Sequence, residues 1–289
     1  GTTFNVVHAP KGLVTRLKSE GAATKADLVL TVDVSRVKEL ADTGLLDKLN
    51  SPVINKNVPA HLRDASDTWT ALSLRARIIV VSDAVKDGEI SRIEDLADPK
   101  WKGRICTRKG SHVYNRALLA SLIAHHGEEK AEAWAHSLVS NLARKPQGND
   151  RAQAKAIWAG ECDIAIMNSY YFGKMKFNTK QPEQQDWAKA LTLVFLNQAD
   201  RGQHVNISAG GIVKTSDNKQ DAVAFLEWLT SDEAQQIYAS VNYEYPVNPA
   251  VSADDEVASW GQFNVDQLPI STIAKLSPTA QMIIDRTGW

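Results

Sequence analysis

Short apolar runs alternating with amphipathic stretches limit what this chain can fold into more than any other feature. Residues 27–32 are a strand-like run ending at Asp33, and residues 35–42 follow as a helix with Val37, Leu40 and Ala41 on one face and Gly44 as its C-terminal glycine. Ahead of them, residues 4–7 read as a strand. Residues 11–20 read as a helix with Leu13, Val14 and Leu17 inward and Gly21 as its stop. Strand–helix alternation of this kind is the signature of an α/β fold with a parallel sheet.

The same grammar continues downstream. Residues 75–81 predict a long strand on which Arg75 and Arg77, two apart, share a face. Ser91 and Glu94 have capping-box spacing for a short helix, and residues 98–103 form a turn-rich link into the strand-like residues 104–107. Leu118, Leu119, Leu122 and Ile123 keep helical step after Gly110, which puts Tyr114 near a helix N-terminus, where unpaired N–H groups favour anions. A second helix covers residues 128–139, and Asp150 is placed to cap a third that runs to Trp158. Residues 174–186 are polar and read as a surface insertion. Residues 191–196 read as a strand and residues 198–206 as a polar crossover between lobes. Ala209-Gly210-Gly211 suggests a tight backbone feature before a strand at 212–213. Helices are predicted at 219–229, 232–240 and 279–286.

Residues 162–167 are a buried strand that runs straight into Asn168-Ser169-Tyr170-Tyr171-Phe172-Gly173. Strand ends are where open α/β sheets put ligand sites. Adjacent tyrosines on a strand would face opposite ways, whereas at a loop both oxygens can turn to one point. Phenolate is a hard anionic donor that suits a hard, highly charged cation such as Fe(III). Tyrosine also serves commonly as a half-buried residue with its hydroxyl reaching water, so the pair gains weight only from its company.

Composition narrows the function. The chain has 289 residues, 43% of them hydrophobic, and a formal charge of −1. That is enough for two lobes, and it lacks the basic balance that general nucleic-acid binding needs. No apolar run is long enough to span a membrane. The opening Gly1-Thr2-Thr3 is what a mature protein trimmed of its signal peptide would show, and equally what a cytosolic one would. Cys106 and Cys162 are either two buried thiols or one disulfide, the latter implying an oxidising compartment. Nucleophile-elbow, phosphate-loop and zinc-protease signatures are missing, so a non-enzymatic role is expected.

With these segments on the page, the chain resembles the periplasmic ferric-ion-binding proteins of bacterial iron ABC importers, a branch of the type II solute-binding fold. The resemblance rests on Ala26-Asp27-Leu28 through Thr31-Val32-Asp33, Arg75-Ala76-Arg77, the run from Asp95 to Gly103, the run from Arg144 to Asp150, Asn168-Ser169-Tyr170-Tyr171, the run from His204 to Ser208, and the run from Asn242 to Val247. They occur in family order over nearly the whole chain. The ending Asp285-Arg286-Thr287-Gly288-Trp289 resembles the cyanobacterial members. The resemblance implies a two-lobed α/β fold, each lobe a mixed sheet flanked by helices. Residues 1–76 and 205–250 would form lobe 1. Residues 77–204 and 251–289 would form lobe 2, which carries the tyrosines. It implies Tyr114, Tyr170 and Tyr171 as ferric ligands, Arg75 facing the metal or its synergistic anion (carbonate or citrate), and Arg77 as a second candidate for that anion. It also implies a monomer in the periplasm that delivers iron to an inner-membrane ABC permease. Members of that family open with a further strand and helix, whose loop adds another tyrosine. Nothing ahead of Phe4 matches these; either the protein was trimmed or this sequence lacks its first segment, and the remaining ligand position falls to that segment's tyrosine or to water or an anion.

Other candidates have structural readings. Tyr243 and Tyr245 read as hinge packing, Tyr238 as a helix-face residue, and His125-His126 as a helix C-terminal cap. His112 lies two residues before Tyr114, and His8 ends the first predicted strand. Asp33 is either an acceptor behind the site or a helix neighbour, and Asn149 and Asp150 read as caps. Two other functions fit less well: a solute-binding protein for a small anion or other solute, with Arg75 and the helix end at Tyr114 holding it directly, and an intracellular iron-stress protein, which two free thiols would favour.

Overall fold

The computed structural model describes residues 2–9 and 12–289. Its strands, in chain order, are β1 (Leu28–Thr31), β2 (Thr70–Val81), β3 (Ile105–Cys106), β4 (Ile164–Asn168), β5 (Thr192–Val194) and β6 (Val205–Ile212). They form one sheet in the order β1-β6-β2-β4-β3, with β5 also on β2.

β2 is the axis of the molecule, and all of its residues are buried. Its first half, Thr70 to Ala76, pairs antiparallel with β6, and its second half, Arg77 to Val81, pairs antiparallel with β4. The change of partner falls between Ala76, which faces Val205, and Arg77, which faces Asn168. A strand that exchanges one neighbour for another midway stays in the core only if both of its halves bury their side chains. The run Arg75-Ala76-Arg77-Ile78-Ile79-Val80-Val81 does so with β-branched residues beyond the arginines. Burying Ile78 or Ile79 is worth roughly 1.5–3 kcal/mol each. The result is a two-lobed mixed α/β fold. Helix Ile270–Thr287 packs on both Val34–Asp42 and Val113–His126 and so ties the two halves together on one side.

Several sequence expectations change in three dimensions. Residues 4–7 form no strand: they pair with no other segment, Val6 and Val7 are exposed, and Phe4 instead lays its ring on Phe225 at 4.4 Å. Part of the helix predicted at 11–20 lies outside the described residues, and the described part is Leu13–Glu20, ended by Gly21 at φ 51. The sheet is not parallel throughout, because only β3 and β4 run parallel. The central pairings are antiparallel because β2 runs opposite to β6 over its first half and opposite to β4 over its second. Asp95, not Glu94, closes the turn at Ser91: its carboxylate accepts from the N–H groups of Ser91 and Arg92, both at 2.9 Å. Residues 174–186 are no insertion, since they end one helix (Tyr170–Lys176) and begin another (Glu183–Lys189), with Met175 and Gln184 buried. Gly210 and Gly211 lie inside β6, where a Cβ at Gly210 would come within 2.7 Å of Leu226 and one at Gly211 within 2.9 Å of Leu46; close packing, not a turn, requires them. The last helix starts well before residue 279, at Ile270.

Cys106 and Cys162 are disulfide-bonded, 56 residues apart in sequence, which clamps β3 to the entry of β4. Replacing both by Ala should cost about 2–4 kcal/mol by the loop-entropy argument. Denaturant unfolding with and without reductant checks this.

Two titrating groups answer to acid, buried His204 just before β6 and half-buried Glu94 in the segment after β2. His204 is fully buried, and burial, reinforced by Arg77 and Arg201, pushes its pKa down to about 3 from an ordinary 6.5. Burial opposes the Glu94 charge, yet Asn197, His126 and Arg201 hold that carboxyl at about 2 instead of 4.5. In both cases the unfolded chain binds a proton that the folded chain refuses. Stability is therefore present above pH 6.5 and falls with acid, first through His204 and then, below about 4.5, through Glu94. Denaturation curves from pH 7 to pH 4 should show this slope, and His204→Gln should flatten its upper part.

Candidate metal centre

The site is built where β2 changes partner. β4 ends at Asn168, and with no glycine or proline to break the chain, Ser169 is already helical at φ −54 and ψ −43. The two tyrosines therefore occupy the first turn of helix Tyr170–Lys176 instead of a loop, and Phe172 N–H donates back to Ser169 O at 3.0 Å. Their rings stack, with centroids 4.4 Å apart and planes at 30°. Tyr114 arrives from the first turn of Val113–His126, and its hydroxyl lies 3.3 Å from that of Tyr170.

Cations cover all three rings. Arg75 and Lys174 lie 5.9 and 5.2 Å from the Tyr170 centroid, Arg77 and Arg108 lie 5.7 and 5.3 Å from that of Tyr114, and Arg151 lies 5.0 Å from that of Tyr171. Burial pushes the Tyr170 hydroxyl far above the ordinary phenol range, with repulsion from Tyr114 and Tyr171 adding to it and Arg75 acting against it. Burial and the Asp150 charge raise Tyr171 as well. Without a strong positive centre, these phenols hold their protons.

The arginines on β2 part company. Arg77 is spent on fixed partners: Nη1 donates to Asp150 at 2.5 Å and Asn168 at 3.1 Å, and Nη2 to Asn115 at 2.6 Å. Arg75 donates to Val32 O at 3.0 Å and to the Ser208 hydroxyl, and lies 3.8 Å from Glu244. Burial works against the Arg75 charge, but Glu244, Tyr170 and Tyr114 together hold its pKa above the ordinary value.

Asp150 is not a helix cap. Asn149 caps that helix by accepting from Ala152 N–H at 3.0 Å, while Asp150 is fully buried and accepts from Arg77, from Arg108 at 3.1 Å and from Asn168 N–H at 2.8 Å. Asp33 caps Val34–Asp42 through Ser35 N–H at 2.8 Å and takes a second bond from Asn206 at 2.7 Å. His112 is the cap of Val113–His126, its Nδ1 accepting from Tyr114 N–H at 3.3 Å. Burial and the charges of Arg108 and Arg77 keep it neutral, with a pKa of about 4. His125 pairs with Asp266 and His126 with Glu94, each at 2.6 Å, and His8 is exposed. Tyr245 bridges to Leu74, and burial with the Glu244 charge pushes Tyr238 up to about 12.

Arg108, Arg151, Lys174 and Glu244 escaped the sequence reading. Lys174 stands four residues after Tyr170, a spacing that puts both on one helical face once that segment is seen to be a helix. The other three carry no local signal.

A two-lobed α/β fold with a charged site at the strand crossover defines a class: the chain belongs to the bacterial extracellular solute-binding proteins, whose family profile matches residues 23–265. Iron uptake protein A1 of Synechocystis is 42% identical over 278 residues, which cover 96% of this chain and 77% of that protein. A Trichodesmium protein solved in complex with iron and citrate ligands superimposes with a TM-score of 0.93 at 44% identity, covering 96% of this chain and 88% of that one. Ferric iron-binding protein A of Mannheimia haemolytica, solved in an open conformation, does so with a TM-score of 0.92 at 43% identity, covering 98% and 89%. The fold is that of the type II periplasmic binding proteins.

Asp150→Asn should destabilise the fold by about 3 kcal/mol, because Arg77 and Arg108 would be left buried without their counter-ion. Loss of a cap alone would cost about 1 kcal/mol. Urea unfolding of the metal-free protein separates the two.

Proposed function

We propose that the protein is an extracytoplasmic solute-binding protein that captures ferric iron between its lobes and hands it to an ABC permease. Tyr114, Tyr170 and Tyr171 would be the protein's phenolate ligands. The observation that carries this is the meeting of three phenols from two elements distant in sequence, two of them 3.3 Å apart, under a cover of cations. Burial raises the Tyr170 and Tyr171 hydroxyls, so these yield their protons only to a centre of high charge, and hard phenolate oxygen suits Fe(III).

Three phenolates neutralise one ferric ion. The cations over the rings outnumber the carboxylates Asp150 and Glu244 that face them, so positive charge is left over for a small anion bound with the metal. Arg75 suits that anion better than Arg77: each of its Nη groups makes one hydrogen bond, to Val32 O and to Ser208, whereas Arg77 makes three, to Asp150, Asn168 and Asn115. Carbonate or citrate would answer the charge, and the Trichodesmium relative was solved with citrate.

Lobe 1 would comprise residues 1–76 and 205–250, and lobe 2 residues 77–204 and 251–289. The partner change between Ala76 and Arg77 supports this division and makes β2 and the segment at His204 the hinge. The protein would work as a periplasmic monomer. Release would follow reduction to Fe(II), which phenolate holds less strongly, or protonation of the phenols in acid.

Tyr171→Phe should weaken ferric binding at least about tenfold, or about 1.4 kcal/mol, and diminish the visible tyrosinate-to-iron absorption. Competition against a calibrated chelator with parallel spectra provides the check, and a variant with unchanged affinity and absorption would remove Tyr171 from the site. A protein that binds small anions equally well without iron would favour the anion-binding alternative.

A further inference from the structure

Helix Tyr170–Lys176 is held from outside by a contact that its sequence advertises only as a glycine. Gly173 is buried one turn beyond Tyr170, and a Cβ at this position would lie 2.5 Å from Cγ of Tyr243 and 2.7 and 2.9 Å from its two Cδ atoms. The Tyr243 ring therefore rests on bare helix backbone, which any side chain would push away. Glycine inside a helix is unfavourable relative to alanine, so the helix gives up intrinsic stability to seat this ring.

Tyr243 is fixed from its other end. It takes a left-handed conformation at φ 58, and the next residues anchor to β2: Tyr245 exchanges two 2.8 Å backbone bonds with Leu74, and Glu244 accepts from Ser73 and faces Arg75. The ring also stacks with Phe177 at 5.8 Å and 14°. One short segment thus reaches both Arg75 on β2 and the helix that carries Tyr170 and Tyr171. A helix of seven residues has little stability of its own, so packing must decide where it sits.

We propose that Tyr243 seated on Gly173 is the positioning contact that sets the tyrosine-bearing helix against Arg75. This rests on the ferric-site reading only for its consequence in binding; the contact itself is independent of metal. Tyr243 touches no ligand and acts through Tyr170 and Tyr171.

The test uses the full chain with Gly173→Ala, Tyr243→Ala, the two combined, and Tyr243→Phe, each read in two ways. Hydrogen exchange across residues 170–176 is measured without metal, and the affinity and visible band are measured with ferric citrate. Gly173→Ala should speed exchange of the helix and lower ferric affinity, each about tenfold, with a shifted or weakened band at saturation. Tyr243→Phe should match the parent, since the ring is kept. In the Tyr243→Ala background, Gly173→Ala should add no further loss, because the methyl group no longer meets a ring. Exchange in Gly173→Ala that is unchanged or slower, as helix propensity alone would give, overturns the proposal, and so does simple additivity in the double variant. If the parent shows no ferric band, the ferric reading falls, and the exchange data still decide the contact.

Discussion

Everything at the site follows from the cost of burying phenol oxygens side by side. Tyr170 is buried, its hydroxyl meets that of Tyr114, and Tyr171 stacks against it, so ionising Tyr170 or Tyr171 unaided is unfavourable. The surroundings answer with cations on every ring, and those cations in turn need Asp150 and Glu244. Two carboxylates that touch no phenol are thereby as necessary to the arrangement as the tyrosines. Five cations face these two carboxylates, a surplus that the proposed ferric ion with its three phenolates and an accompanying anion would answer.

β2 connects this electrostatics to the fold. A single buried strand places Arg75 beside Val32 and Ser208, and Arg77 beside Asn115, Asn168 and Asp150. Changing partner between them makes the strand the shared scaffold of both halves of the sheet. Motion about it would move Arg75 relative to the tyrosine helix while leaving the Arg77 network intact.

Much of this was legible in the chain because it depends on local pattern. Val37 and Leu40 mark a helix face by spacing, residues 75–81 mark a strand by branching, and Tyr114 marks a helix N-terminus. What could not be read depends on distant partners. An aspartate ahead of a helix looks like a cap, and it is Arg77 and Arg108, 73 and 42 residues away, that make Asp150 a buried counter-ion. The tyrosine pair looked like a loop because strand and helix join without a breaker. Gly210 and Gly211 looked like a turn because their real reason, the side chains of Leu226 and Leu46, comes from other elements. Residues 4–7 have strand composition and pair with no neighbour, which propensity does not reveal.

The most direct test of the central claim is anomalous diffraction at the iron edge from crystals grown with ferric citrate. The account predicts one strong peak bounded by the hydroxyl oxygens of Tyr114, Tyr170 and Tyr171, on the side facing Arg75. A peak elsewhere, or none from protein saturated with ferric citrate, would contradict it.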